Sequence, residues 1–230
     1  MKEKDAPVDL VIEVLRRLDK AGVLPGMVLI GSWCVHFYKD YFGGAALSAI
    51  RTRDMDSLIP TPPKIKGEVR VAELLKDLGF ITEFHGDGAV SLSHPELIID
   101  FLVAERGRGA DKPYLVKSLG VKAQPLRYLS LLSDDTIKVR RRGLELILPH
   151  PINYAFQKLI ISGRRAYEEK ATKDRLQAVE VLREVVSHGD GRAAWVKFQK
   201  LPPGWRKAVL SGLKAAQADD LTTLLASAAA

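Results

Sequence analysis

The sequence predicts an α+β fold, with a mixed-sheet domain over residues 1–149 and a helical domain over residues 150–230. Two observations predict this arrangement. Short apolar runs bounded by glycine and proline dominate the first part and indicate strands, whereas the apolar residues after Pro151 recur with a helical period. At least one pair of strands is joined by a tight turn, so we do not expect a long, uniformly parallel series of strand–helix–strand units.

The first elements form a strand–turn–helix unit. Residues 7–21 place their apolar side chains on one helical face. Residues 27–30 are predicted to be a buried strand that ends in Gly31-Ser32, and a helix follows over residues 33–41 with Ser32 near its N-cap. The backbone N–H groups at such a helix start suit a phosphate. Most Gly-Ser pairs, however, are only turns.

The remaining elements follow from the same signals. A strand carries Asp54 and Asp56 and ends before Pro60, and Gly86-Asp87-Gly88 predicts a hairpin turn. Residues 43–50 are expected to be a linker, and residues 104–125 a loop. The other predicted strands are 80–85, 89–93, 97–103, 126–132, 136–139 and 144–148. The other predicted helices are 68–78, 152–163, 168–188, 192–200 and 204–228.

The composition places the chain among globular proteins. It is 47% hydrophobic and 27% charged, which excludes an intrinsically disordered chain. No apolar run reaches the ~18 residues of a membrane span, and acidic residues interrupt the apolar pattern of the first fifteen residues, which excludes a secretory signal. The single cysteine, Cys34, excludes an intramolecular disulfide and a multi-cysteine zinc site. We therefore expect a cytoplasmic protein without membrane contact.

The net charge of +7 favours an anionic partner such as a nucleotide or RNA. Basic residues cluster over 138–142 and 164–175. Solvated surface faces would explain these clusters equally well. The charge alone therefore does not assign a partner.

Three carboxylates lie in predicted strands. Asp54 and Asp56 are two residues apart, so a strand directs both side chains to one face. Two carboxylates this close repel each other, and a divalent cation such as Mg²⁺ removes the repulsion. Asp100 stands in the middle of the apolar run 97–103, where a charge needs a metal or a partner. A salt bridge to a lysine or arginine would explain Asp100 equally well.

Together these parts predict a site for two Mg²⁺ (or Mn²⁺) ions, which lie about 3.5–4 Å apart in phosphoryl-transfer enzymes. In this scheme Asp54 and Asp56 hold both ions. Asp100 completes one ion and accepts the proton of the attacking hydroxyl. Gly31 and Ser32, with the N–H groups after them, hold the terminal phosphates.

The order of a strand with Gly31-Ser32, an Asp-x-Asp and a third Asp in an apolar strand resembles the nucleotidyltransferase superfamily of DNA polymerase beta. The stretch RTRDMDSLI over residues 51–59 is most similar to the prokaryotic nucleotidyltransferase-like proteins, which include minimal and toxin-type members. The resemblance covers residues 27–103 well. For the rest of the chain it rests only on the architecture, a helical domain after the sheet. It implies a mixed sheet with helices on one side, a C-terminal helical domain, and transfer of an NMP from an NTP with release of pyrophosphate.

The resemblance also implies roles for residues outside the acids. Toxin-type members carry a Lys-Leu pair on a helix and a later Asp in a basic context, which Lys158 and Asp174 match. Lys158 would contact the triphosphate as a point charge. An ordinary solvent-facing helix lysine is the simpler explanation of Lys158, and Asp174 would then pair with Lys170 or Lys173 on its own helix. Apart from the resemblance, Arg51 and Arg53 flank the acids and are expected to neutralise phosphate or the acids themselves, or to steer an acceptor. Arg51, just outside the strand, is the better candidate.

The leading hypothesis is a Mg²⁺-dependent nucleotidyltransferase whose acceptor is RNA, a protein or a small molecule. The alternative hypothesis is a catalytically inactive module that binds nucleotide or RNA, or one half of a toxin–antitoxin pair. The sequence predicts neither the preferred NTP nor the oligomeric state.

Overall fold

The computed structural model of the chain describes residues 6–44, 47–48, 52–105 and 112–227. The chain divides into two compact units. The sheet unit is Met1–Cys34 with Ile50–Pro149, and the helical unit is Val35–Ala49 with His150–Ala230. Residues 35–49 thus group with the C-terminal helices.

The sheet unit is built on strands with a few helices. Its strands are β1 (Val28–Ile30), β2 (Asp54–Leu58), β3 (Ile81–Phe84), β4 (Val90–His94), β5 (Leu97–Ala104), β6 (Tyr114–Val116), β7 (Val121–Leu126), β8 (Thr136–Arg141) and β9 (Leu144–Pro149). Its helices are α1 (Ala6–Lys20), the start of α2 (Trp33–Tyr41), α3 (Val71–Leu75) and α4 (Ser130–Ser133).

Within the described residues, the first seven strands form one mixed sheet in the order β1-β2-β5-β4-β3, with β7 paired to both β5 and β6. The β2–β5 and β5–β7 pairs are parallel, and the other pairs are antiparallel. β8 and β9 form a separate hairpin. The α+β class with a mixed sheet, followed by helices, is therefore confirmed.

Two stretches of the sheet unit differ from the sequence expectation. Residues 104–125 were expected to be a loop, yet β6 and β7 lie there. β7 alternates buried and exposed residues from Val121, but lysine and proline within it weaken the local strand signal, and pairing with β5 stabilises it. Residues 126–132 were expected to be extended, yet α4 begins at Ser130. Its leucines are buried, and a helical turn buries them as well as a strand would.

A buried apolar cluster fixes the strands that carry the acids. It consists of Val28, Ile30, Leu58, Leu102, Leu129 and Leu132. Three neighbouring strands, β1, β2 and β5, and the region of α4 contribute to it. Burying a leucine or isoleucine side chain contributes about 1.5–3 kcal/mol, so this cluster holds β2 and β5 in register.

The helical unit contains most of α2 and five further helices in its described residues: α5 (Pro151–Ser162), α6 (Glu168–Ser187), α7 (Gly191–Lys200), α8 (Pro203–Ala215) and α9 (Asp219–Ala226). Nearly every residue of α5 is buried, so α5 is the central helix of this unit. Residues 204–228 were expected to form one helix. The chain instead breaks at Gln217, which has a φ of 54°, a left-handed conformation that a continuous helix does not allow.

Across the part of the chain that the structure describes, no helix combines the length and apolarity needed to cross a lipid bilayer.

An ion pair joins α6 to α9. Arg183 Nε and Nη2 donate to the two carboxylate oxygens of Asp220, each at 3.1 Å. This hydrogen bonding lowers the pKa of Asp220 from its ordinary value of 3.8. A lowered folded-state pKa contributes stability above the ordinary pKa, and this contribution is lost as the pH falls through the folded-state value.

We expect Asp220→Asn to lower the free energy of unfolding at pH 7 by less than about 1 kcal/mol, because both partners are exposed. The difference from wild type should shrink in acid, below the ordinary pKa of the carboxyl. Urea titrations of wild type and variant at pH 7 and at a pH below 3.8 measure the two differences in the free energy of unfolding. Asp219→Asn, which removes a carboxylate from the same helix terminus, is the control. An Asp220 effect that persists unchanged in acid would argue against the ion pair as its cause.

Candidate active site

The register of β2 against β5 brings two of the predicted acids side by side. Asp56 lies directly opposite Asp100 in the parallel pair, and Asp54 lies opposite Ile98. Residues at matching positions of neighbouring strands point to the same face, as do residues two apart on one strand. Asp54, Asp56 and Asp100 therefore share one face of the sheet. The sequence alone placed Asp100 on a separate strand whose position relative to Asp54 and Asp56 was unknown.

Burial changes along this face. Asp54 is exposed, Asp56 and Asp100 are partly buried, and Leu58 and Leu102 on the next rung are fully buried. The carboxylates thus stand at the rim of the apolar cluster. The opposite face of β2 is buried as well, and its residues Met55 and Ser57 have no exposed surface. The buried opposite face and the buried leucines of the next rung hold the backbone beneath the acids in place.

Gly31 approaches Asp56 closely. Gly31 follows β1 with a φ of +72°, and Ile30 pairs with Asp56 across the β1–β2 ladder. A Cβ atom on Gly31 would overlap Asp56 Oδ2 and lie 3.0 Å from its Cγ. Both the backbone conformation and the space therefore require glycine here. The turn leaves room for the Asp56 carboxylate beside the start of α2.

The structure describes only some of the other basic and polar residues near the predicted phosphate site. Ser32 is partly buried in the turn directly before α2, and the Gly31 carbonyl accepts a hydrogen bond from Cys34 N at 3.2 Å. Arg51 lies outside the described residues. Its neighbour Arg53 is exposed, and Arg53 Nη2 donates to His94 O at 3.5 Å.

Asp100 belongs to a short chain of hydrogen bonds. Ser91 on β4 pairs with Asp100 across the β4–β5 ladder, and the Ser91 hydroxyl donates to Asp100 Oδ1. His85 Nε2 lies 2.6 Å from Ser91 Oγ. Within the described part of the chain, Asp100 thus pairs with a buried hydroxyl rather than with the lysine or arginine that would have explained it without a metal.

Sequence reasoning missed both His85 and Ser91. A histidine at the end of one hairpin strand and a serine early in the next carry no recognisable motif. Their contact follows from the β3–β4 register, in which Phe84 pairs with Val90. Fixing that register from the Gly86-Asp87-Gly88 turn would have placed His85 near Ser91, whereas the position of Ser91 beside Asp100 depends on the β4–β5 register.

The carboxylates on this face are candidate ligands for a divalent cation. Among the described residues, no group of three or more His, Cys, Asp or Glu side chains has the arrangement of a preformed metal site. Asp54, Asp56 and Asp100 nevertheless offer carboxylate oxygens on one face, which is the ligand type that Mg²⁺ prefers. Glycine at position 31 puts no side chain of its own against the Asp56 carboxylate. The three acids therefore fit such an ion, because they offer the preferred ligand atoms and lie on the same side of the sheet.

Lys158, the predicted triphosphate contact, is buried in the helical unit. Its ammonium donates to Asp174 Oδ1 at 2.6 Å and lies 5.7 Å from the ring centroid of Tyr154. Asp174 Oδ2 accepts a second hydrogen bond from Arg165 Nε at 2.7 Å. The alternative explanation from sequence paired Asp174 with Lys170 or Lys173 on its own helix; in the structure Asp174 forms ion pairs with Lys158 on α5 and with Arg165.

We expect Gly31→Ala to be more damaging than a substitution that only strains the backbone. Gly22 provides the matched control, because its φ is also +72° and nothing lies within 4 Å of an added Cβ. Forcing alanine into a left-handed conformation costs about 1–2 kcal/mol, so Gly22→Ala should show that cost alone. Gly31→Ala should exceed it and displace Asp56. Urea denaturation of both variants measures the difference, and equal losses would contradict the close approach.

Comparisons with known proteins are consistent with this geometry. The family model described as Nucleotidyltransferase matches residues 9–194, which include all three acids. No curated protein matches the chain. A crystal structure of an antigenic nucleotidyltransferase-like protein from Paracoccidioides brasiliensis is similar, with 14% identity over 96% of this chain and 93% of that one and a TM-score of 0.51.

Two structures of the antibiotic-resistance factor ANT(2'')-Ia are more distantly similar. The solution structure has a TM-score of 0.42 and 10% identity over 96% of this chain and 90% of that one. The crystal structure with adenylyl-2''-tobramycin has a TM-score of 0.44 and 10% identity over 96% and 95%. The fungal structure shows the shared fold, and the family model covers more than half of the sequence. The chain therefore belongs to the nucleotidyltransferase family.

Proposed function

We propose that this protein transfers an NMP from an NTP to an acceptor hydroxyl in a Mg²⁺-dependent reaction. The observation that carries the proposal is the pairing of Asp56 with Asp100, with Asp54 two residues along the same face. Membership of the nucleotidyltransferase family supports it. Carboxylates gathered on one face of a sheet repel each other, and a cation-binding role explains their arrangement best.

Each residue has a role in this proposal. Asp54 and Asp56 would hold Mg²⁺, and Asp100 would complete the ligand set. Bound Mg²⁺ would polarise the phosphoryl oxygens and neutralise the charge that develops on the pyrophosphate. Gly31 and Ser32 would place backbone N–H groups at the start of α2 against the terminal phosphates. Arg51 and Lys158 are proposed as further phosphate contacts.

The bonds that change are few. The acceptor oxygen attacks the α-phosphorus, the bond from that phosphorus to the bridging oxygen of the β-phosphate breaks, and pyrophosphate leaves. Asp100 would accept the proton of the acceptor hydroxyl on Oδ2, because Oδ1 already accepts a hydrogen bond from Ser91. The transfer gains mainly from holding the attacking and leaving oxygens in line.

The test is nucleotidyl transfer by the full chain. Each of the four NTPs, labelled at the α-phosphate, is incubated with Mg²⁺ or EDTA and with pools of cellular RNA, protein and small molecules. We expect one labelled acceptor class, released pyrophosphate, and loss of both with EDTA or in Asp54→Ala/Asp56→Ala. No label in any pool would count against the enzyme. Calorimetry that finds RNA binding unaffected by loss of the acids would then favour the inactive binding module.

A further inference from the structure

We propose that His85 and Ser91 are positioning residues that fix Asp100 for the transfer reaction, an inference that rests on the proposed function. His85 Nε2, Ser91 Oγ and Asp100 Oδ1 form a continuous chain of hydrogen bonds. The chain runs from an exposed histidine, through a serine that is 2% exposed, to a partly buried acid. Neither residue belongs to the pattern of Gly31-Ser32, Asp-x-Asp and a third Asp that carries the resemblance.

Counting protons gives the chain a direction. The Ser91 hydroxyl has one proton, which it donates to Asp100 Oδ1. The contact between Ser91 and His85 must then use a lone pair of Ser91 and a proton on His85 Nε2. His85 is therefore held in the form with Nε2 protonated. A second partner fixes the Ser91 hydroxyl, and through it one oxygen of Asp100.

The loop that carries His85 is itself well defined. His85 N donates to Ala89 O at 3.0 Å, and Gly88 N donates to His85 O at 2.9 Å. Asp87 Oδ1 accepts from Ala89 N at 2.9 Å. These three bonds hold the hairpin turn closed, so the imidazole is presented to Ser91 by an ordered backbone.

The consequence for Asp100 is that its two oxygens have separate tasks. Oδ1 is occupied by Ser91, which sets the rotation of the carboxyl group. Oδ2 is then the oxygen directed to the cation or to the acceptor proton. Partners that orient a ligating carboxylate in this way typically change metal affinity or activity by about 10- to 100-fold when they are removed.

Steady-state kinetics of three variants test the role. We expect His85→Leu and Ser91→Ala to lower kcat by about 10- to 100-fold with little change in KM for the NTP. His85→Gln, whose amide can donate from the same place, should recover most of kcat. Ser93→Ala on the same strand and face is the control. Wild-type kcat in His85→Leu, or no recovery in His85→Gln, would overturn the inference.

A second measurement does not depend on activity. Long-range ¹H–¹⁵N correlation spectra of the full chain report which ring nitrogen carries the proton, and His85→Gln assigns the signals. We expect Nε2 protonated in wild type and a mixed, exchanging pattern in Ser91→Ala. Protonation at Nδ1 in wild type would overturn the hydrogen-bond direction.

The two proposals can fail separately. An active wild type with an unaffected His85→Leu removes the role of His85 alone. A wild type that neither transfers nucleotide nor binds Mn²⁺ with an NTP in calorimetry removes the proposed function, and the positioning role with it. If wild type binds Mn²⁺ and NTP without turnover, weaker Mn²⁺ binding in His85→Leu still supports the inference, and unchanged binding overturns it.

Discussion

Asp56→Asn should reduce nucleotidyl transfer by roughly 10³-fold, because a bound divalent ion supplies several kcal/mol of charge stabilisation and each 1.36 kcal/mol is tenfold in rate. Asn keeps the shape of the side chain beside Gly31, so the fold should survive. The change should lie in kcat and in the Mg²⁺ concentration required. Labelled transfer at saturating NTP, over a Mg²⁺ titration, measures both.

Asp19→Asn is the control for this prediction. Asp19 is exposed near the end of α1, so the substitution changes the net charge of the sheet unit equally without touching the carboxylate face. Its activity should match wild type. If Asp56→Asn retains more than about a tenth of wild-type kcat, the transition state does not depend on this carboxylate, and Asp56 would lose its assigned role.

Asp174→Asn is the second large effect we expect, and it concerns stability. The substitution leaves the Lys158 ammonium buried without a counter-charge, which typically costs about 3–5 kcal/mol. The side chains of Lys158 and Asp174 are only 8% and 4% exposed. Urea denaturation followed by far-ultraviolet circular dichroism measures the loss in the free energy of unfolding. The loss should appear as unfolding of the helical unit at a lower urea concentration.

The control for Asp174→Asn is an ion pair with the same N–O distance whose side chains are exposed to solvent. Lys138 and Glu145 on the β8–β9 hairpin also lie 2.6 Å apart, but their side chains are 66% and 45% exposed. Glu145→Gln should have a much smaller effect, because exposed pairs are screened and solvated. Equal losses for the two variants would show that burial is not the cause.

A double variant separates stability from nucleotide binding. Lys158→Met/Asp174→Leu replaces the buried pair by apolar side chains and should recover most of the lost stability. Arg165, the other partner of Asp174, is 39% exposed and can be solvated. If the folded double variant binds Mg²⁺ and NTP as wild type does, Lys158 is a structural residue and its proposed phosphate contact is wrong.

The sequence predicted the fold class because its local signals were strong. The acids stood in apolar strand patterns, and the helices after residue 150 had a clear period. β7 was missed because its stabilisation comes from pairing with distant β5, which a local sequence pattern does not reveal, and β6 was missed with it because β6 pairs with β7. The helix break at Gln217 was missed because no glycine or proline marks it.

The candidate site was partly predictable for the same physical reason. Residues two apart on a strand share a face by geometry alone, so Asp54 and Asp56 could be grouped from sequence. Whether Asp100 stood beside them depended on strand order and register, which the structure supplied. The contact of His85 with Ser91 depended on hairpin register, and the burial of Lys158 depended on how α5 packs within the helical unit.

The central claim is that Asp54, Asp56 and Asp100 bind the metal ions that activate an NTP. The most direct measurement is a crystal structure of the full chain with Mn²⁺ and a non-hydrolysable NTP, using the anomalous signal of manganese. We predict two peaks about 3.5–4 Å apart at these carboxylates, with the triphosphate against Gly31 and Ser32. Nucleotide bound with no manganese at the three acids, or manganese bound elsewhere, would contradict the claim.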